Sequence, residues 1–152
     1  MNPVCHRVDE ASTAQVEEHL RLCDSRFVPP LSQRTDLEAY ARRIRDHATR
    51  FEAWIDGELV GLVAAYLNDR RAGIAHVTNV SVLPQCARRG IASDLLQRCI
   101  AQATELRFEQ VTLEVSALNE GAVRLYERFG FIPVPAEPTS AIMKLDLYEK
   151  KR

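Results

Sequence analysis

Residues 80–100 read VSVLPQCARRGIASDLLQRCI, and the order strand, proline, arginine pair, glycine, helix within them decides the fold. VSV is β-branched and ends a strand, because Pro84 has no N–H and stops ladder pairing. From Ala92 onward Leu95, Leu96, Cys99, Ile100 and Ala103 recur at helical spacing, which predicts an amphipathic helix. The turn between the two aims the first N–H groups of that helix out of a sheet, with Gly90 keeping the surface low. Such a turn can bind an anion through backbone donors and the helix dipole. An ordinary strand-to-helix connection with a solvated arginine pair has the same outline, so the flanking chain must decide.

Upstream, Ile74 to Leu83 is strand-like. FEAWI and ELVGLVAAYL form two more strands joined by Asp56–Gly57, a two-residue hairpin signal, with Trp54 packed in the hairpin. LVGLVAAY is almost continuously apolar and belongs at the centre of a sheet, covered on both faces. Nearer the N-terminus, Val4 to Val8 is an edge strand. Ser12 or Thr13 caps a helix carrying Val16, Leu20 and Cys23. Pro29–Pro30 forbids a helix. Asp36 then caps a second helix with Leu37, Tyr40, Ala41, Ile44 and Ala48 inward and Arg42, Arg43 and Arg45 on its solvated face.

Downstream of the turn, Val111, Leu113 and Val115 alternate with Thr112, Glu114 and Ser116. A helix from about Glu120 to Phe129 stops at Gly130, and FIPV and SAIMKLDLY supply two closing strands. The expectation is a mixed α/β (α+β) fold: a mixed, mostly antiparallel sheet of about seven strands flanked by about four helices.

Composition sets outer limits. A chain of 152 residues fits one domain, 1–152, and 46% hydrophobic with 27% charged residues is ordinary for a soluble protein. Twenty basic against 21 acidic residues argue against non-specific nucleic-acid binding. No apolar run reaches a membrane span, and MNPVCHRVDE lacks a signal-peptide core. The cysteines at 5, 23, 86 and 99 form no C-x-x-C pair and no metal-ligand spacing with the histidines. Free thiols in a reducing cytoplasm, and no metal, are expected. Cys86 lies in the turn without a histidine nearby in sequence to activate it.

Neither G-x-x-x-x-G-K-[ST] nor G-x-G-x-x-G is present, which excludes the common nucleoside triphosphate and dinucleotide loops. VSVLPQCARRGIASDLL instead resembles the acyl-coenzyme A loop of the GNAT superfamily of N-acetyltransferases, and LEVSALNEGAVRLYERFGF resembles that family's second motif. The element order agrees, so the resemblance covers nearly the whole chain. It implies acetyl-CoA as co-substrate. Backbone groups of Val80, Ser81 and Val82 would pair with the pantetheine arm. The N–H groups of Arg88, Arg89, Gly90, Ile91, Ala92 and Ser93 would wrap the pyrophosphate. Asn119 would touch the arm, and Tyr126 would stand near the thioester sulfur. The family usually places Gln or Arg three residues before the loop glycine; here that position is Ala87.

Acetyl transfer to nitrogen needs a neutral amine, whereas a lysine-type amine has a pKa of about 10.4, so a base must remove a proton. The oxyanion needs a donor, which a strand N–H freed by splaying supplies. The leaving thiolate needs a proton, which a tyrosine can give. Glu114, on the polar face of its strand, is the first base candidate, and Tyr126 follows it by 12 residues. That spacing is similar to the one in N-acetyltransferases of the ribosomal-protein type, where both residues are catalytic. A structural carboxylate at 114 and a core ring at 126 are the alternatives. His76, on the strand of Val80, is the second base candidate, with Thr78 beside it.

The resemblance implies a primary-amine acceptor framed by DSRFVPPLSQRTDLEAYARRI and PVPAEPTSAIM. Residues 27–65 are similar to acetyltransferases of surface-polysaccharide biosynthesis, which implies an amino sugar; a protein N-terminus or a small polyamine stays open. Homodimers are frequent in the family. The competing expectation is a non-catalytic acyl-CoA-binding or regulatory domain of the same fold.

Overall fold

The computed structural model describes residues 2–134 and 141–148; most of the expected PVPAEPTSAIM acceptor segment therefore lies outside the described residues. The elements run β1 (Cys5–Val8), α1 (Thr13–Cys23), α2 (Leu37–His47), β2 (Thr49–Ile55), β3 (Glu58–Tyr66), β4 (Ile74–Val82), α3 (Ile91–Glu105), β5 (Gln110–Val115), α4 (Glu120–Arg128), β6 (Ile132–Val134) and β7 (Ala141–Asp146). This is the expected order. The β2 strand begins two residues before the expected FEAWI run, because Thr49 and Arg50 still pair with Ala65 and Ala64.

Local chemistry explains the boundaries. The Ser12 hydroxyl accepts from the Gln15 N–H while the Gln15 side chain accepts from the Ser12 N–H, a reciprocal cap that starts α1. The Asp36 carboxylate accepts from Glu38 N–H at 3.1 Å and starts α2. Asp56 and Gly57, both at positive φ (50° and 78°), close the β2–β3 hairpin.

The seven strands form one sheet in the order β1-β2-β3-β4-β5-β7-β6. Neighbours are antiparallel except β4 and β5, which are parallel because α3 carries the chain over between them. Every residue of β3 from Leu59 to Ala65 is buried, as its apolar run requires. One face packs on α1 and α2 through Leu20, Ile44, Trp54, Leu59 and Leu62. The other packs on α3 and α4 through Val63, Val77, Leu95, Leu96, Leu113 and Tyr126.

Two irregularities shape the centre. The β3–β4 register skips Thr78, since Ala64 pairs with Asn79 but Ala65 with Val77, so Thr78 is a bulge. The β4–β5 ladder runs only from Ile74–Gln110 to Val77–Leu113, although β4 continues to Val82 and β5 to Val115. Beyond Val77 the two strands splay apart. The β5-facing edge of residues 78–82 then has no strand partner among the described residues.

Candidate active site

The splay opens a cleft of about 880 Å³ that passes through the sheet. Its lining comes from both faces: Tyr126, Gly90 and Ser93 from the α3/α4 side, and His76, Glu114 and Tyr40 from the α1/α2 side. Glu114 and Tyr126 thus lie on opposite faces and meet only through the gap between β4 and β5.

At one end lies the turn of residues 84–93. Gly90 is the N-cap of α3, with φ +77°, and no side chain caps the helix. The first N–H groups of α3 are therefore left without an intrahelical or side-chain acceptor, and a Cβ at Gly90 would meet nothing within 4 Å. Uncapped donors facing open space fit a phosphate. Arg88 also adopts positive φ (67°) and lines the same cleft. Ala87, Arg88, Gly90, Ile91, Ala92 and Ser93 line the cleft; Arg89 does not. Gly61, on β3, sets the position of this turn, since a Cβ there would lie 2.6 Å from Ile91 Cγ2. That close approach was hidden in the sequence, where Gly61 reads as one small residue in an apolar run.

Val80, Ser81 and Val82 line the middle of the cleft with their open backbone edge, and Asn119 lies opposite. The Asn119 carboxamide oxygen accepts the Ala122 N–H at 3.3 Å, so it caps α4 and leaves its NH₂ for the cleft. The Tyr126 ring is 7% exposed and packs on Phe131 at 5.8 Å between centroids. Its hydroxyl has no hydrogen-bond partner among the described residues and is not sealed in the core. Burial pushes its pKa up to about 12, so the phenol keeps its proton throughout the neutral range. Glu114 is exposed in the cleft beside His76, whose Nδ1 lies 2.9 Å from Thr112 Oγ1. Burial holds the His76 pKa below its ordinary value, and the Glu114 charge opposes this more weakly. His76 is consequently neutral at pH 7. Both base candidates stand together on the α1/α2 side of the cleft.

The Acetyltransferase (GNAT) family matches residues 13–131. The chain belongs to this family. Among relatives, an N-alpha-acetyltransferase MAK3 from Arabidopsis thaliana is 37% identical over 83 residues, which is 54% of this chain and 44% of the relative. The chain spans about half the length of the curated relatives it matches. In fold, the ribosomal-protein-S18-alanine N-acetyltransferase from Escherichia coli superposes with a TM-score of 0.76 at 18% identity, covering 97% of each chain. The PaiA N-acetyltransferase from Thermoplasma acidophilum, solved in complex with coenzyme A, gives 0.71 at 14% identity over 93% of this chain and 99% of its own.

In this GNAT chain two cleft-lining residues, Tyr40 and Arg43, and one buried behind the cleft, His19, escaped the sequence reading. Tyr40, legible only as part of the α2 stripe, donates its O–H to the Thr78 carbonyl at 2.7 Å and lies 2.8 Å from Thr78 Oγ1, bracing the β4 bulge. His19 is 2% exposed on the α1 stripe. Its Nδ1–H donates to the Leu59 carbonyl at 3.1 Å, so Nε2 is the acceptor. Ser81 Oγ lies 2.9 Å from that Nε2 and 2.7 Å from Asn79 Oδ1, with the Cys23 thiol 3.7 Å from Nε2 as a further donor. This chain ties α1 to β4. A histidine three residues after Val16 and four before Cys23 was the available signal. Arg43 also departs from expectation. Arg42 and Arg45 pair outward with Glu38 and Asp46, but Arg43 lies over the Tyr40 ring at 5.4 Å and lines the cleft.

Proposed function

We propose that this chain transfers an acetyl group from acetyl-CoA to a primary amine by direct attack of the amine on the thioester. One observation carries the reading: a β4 edge left open by the splay leads straight to an uncapped helix N-terminus at Gly90. These two sets of backbone donors suit an extended amide-bearing arm and a pyrophosphate respectively. Residues 80–82 would hold the arm, residues 88 and 90–93 the phosphates, and Asn119 the arm's far side.

Acetyl-CoA supplies the activated acetyl thioester. Glu114, directly or through water, takes the proton of the incoming ammonium, with neutral His76 beside it. An open N–H on the β4 edge donates to the carbonyl oxygen as charge gathers there. The C–N bond forms and the nitrogen of the adduct releases its second proton to solvent; the C–S bond breaks, and the electron pair leaves on sulfur, which solvent protonates as the coenzyme departs. Tyr126 donates a hydrogen bond to that sulfur. A thiol has a pKa of about 8.5, so a phenol near 12 stabilises the thiolate as a hydrogen-bond donor more readily than it surrenders a proton.

The acceptor is a small-molecule amine or a protein N-terminus. The N-alpha-acetyltransferase names of the relatives favour the N-terminus, and the 27–65 resemblance favours an amino sugar. Thiol release from acetyl-CoA with a panel of amines and peptides tests the reading. Tyr126→Phe should lower kcat by about 10²–10³-fold, the cost of one transition-state hydrogen-bond donor, while the Kd for acetyl-CoA stays nearly constant. Acetyl-CoA binding without turnover of any amine would make the protein a binding domain instead.

A further inference from the structure

Charge is distributed unevenly around the acceptor end of the cleft. Arg26, Arg34 and Arg43 line it, and Glu114 is the carboxylate among the described lining residues. Several other arginines pair with acids, as Arg21 does with Glu17, Arg42 with Glu38, Arg50 with Glu52 and Arg98 with Asp94, whereas Arg88 and Arg128 also line the cleft without an ion pair to a described carboxylate. Arg26, Arg34 and Arg43 likewise form no ion pair with a described carboxylate; besides lying over the Tyr40 ring, Arg43 donates to Thr35 Oγ1 at 3.4 Å. Asp24, the nearest acid in sequence to Arg26, is committed elsewhere. Its two oxygens accept from the Ser32 N–H at 2.7 Å and the Ser32 O–H at 2.6 Å, which pins the segment carrying Arg26 and Arg34. Buried Leu31 anchors the same segment to the α1/α2 core.

Unpaired guanidiniums held on an ordered rim select for carboxylate or phosphate, which match their planar donor fork. They also repel cationic acceptors approaching a chain whose net charge is only −1. We infer that the acceptor amine belongs to an anionic molecule, whose carboxylate or phosphate sits among Arg26, Arg34 and Arg43 while its amine points to Glu114 and His76. This inference rests on the acetyl-transfer reading and narrows its substrate class. It disfavours polyamines.

Matched acceptors test it: glucosamine against glucosamine 6-phosphate, phenethylamine against phenylalanine, and peptides with Asp or Lys at the second position. The anionic member of at least one pair should have the higher kcat/KM, by about tenfold, with KM rising as salt is added. In Arg34→Gln/Arg43→Gln the anionic-to-neutral ratio should fall about tenfold, and Arg34→Glu should shift preference toward spermidine. Both arginines are exposed, and unchanged thermal unfolding with unchanged acetyl-CoA affinity would show that the variants fold. A preference for neutral or cationic acceptors, or equal losses on both members of a pair, overturns the inference. Calorimetric titration of the CoA-saturated protein with glucosamine 6-phosphate and with glucosamine gives a readout without turnover. Binding of the phosphate alone, weakened in the double variant, supports anion capture even if acetyl transfer fails. No difference between the two ligands counts against it even if acetyl transfer succeeds. Better turnover of the acidic peptide than of both small anions would identify the anion as a side chain.

Discussion

Glu114 and His76 stand side by side, and only rate measurements apportion the proton between them. Glu114→Gln keeps shape and removes the acceptor, so the rate at pH 7 should fall by about 10²–10⁴-fold. Partial recovery should follow as rising pH supplies neutral amine. The substitution also removes the one charge that raises the His76 pKa, so His76 becomes a weaker base. An unchanged pH–rate profile would assign the proton to His76.

His19 makes a separate prediction about stability. Its pKa in the fold is about 4 against 6.5 in the unfolded chain, because burial disfavours the cation. The unfolded chain therefore binds more protons between these values. Stability is full above pH 6.5 and is lost as pH falls toward 4, by at most about 3 kcal/mol. A series of Tm values across that window should decline in the native protein. In His19→Gln it should flatten, from a lower starting point at neutral pH. A slope that survives the substitution would place the acid sensitivity at another group.

At the scale of elements, two glycines act on the same turn in opposite ways. Gly61→Ala puts a methyl group against Ile91 Cγ2, with Leu95 Cδ1 at 3.2 Å and Ala53 Cβ at 3.3 Å behind it. Overpacking of this kind costs about 1–3 kcal/mol, and it should move the start of α3 and weaken acetyl-CoA binding along with Tm. Gly90→Glu faces open space, so it should cost only about 1–2 kcal/mol for the left-handed backbone. Its carboxylate repels phosphate, so coenzyme binding should be abolished. Calorimetry and thermal melts on both variants separate the cases, and near-normal coenzyme affinity in Gly90→Glu would remove the basis of the anion site.

What could be read in advance follows from range. Strand and helix identities come from periods within a few residues, so the order β1 to β7, the Asp56–Gly57 turn and the arginine–glycine turn were all visible. The Thr78 bulge, the end of the β4–β5 ladder and the Tyr40 brace depend on chain segments far apart in sequence. His19 and Tyr40 were indistinguishable from packing residues, because a buried polar tip leaves the helical stripe unchanged. Arg26, Arg34 and Arg43 could not be told from solvated arginines until the structure showed them lining the cleft without an acidic partner among the described residues.

For the whole molecule, the sheet is two parts joined at four register pairs, Ile74–Gln110 to Val77–Leu113. The β1–β4 part carries the Gly90 turn and Arg26, Arg34 and Arg43; the β5–β7 part, with α4, carries Glu114, Asn119 and Tyr126. A ligand in the splay bridges both. Acetyl-CoA at 100 times its Kd should stabilise the protein by about 2.7 kcal/mol, and amide exchange at residues 78–82 should slow most. Uniform slowing across the sheet would mean the arm does not bind along that edge.

The open edge of β4 has a kinetic corollary. In the proposed reaction its donors, and those at Gly90, would grip backbone-like amides and phosphates, none of which change when the acetyl group departs. Spent coenzyme would therefore leave against nearly the same hold that loaded it. A tighter grip would speed capture at low supply and slow every exit, so turnover becomes sensitive to the ratio of charged to spent coenzyme rather than to the amount of either.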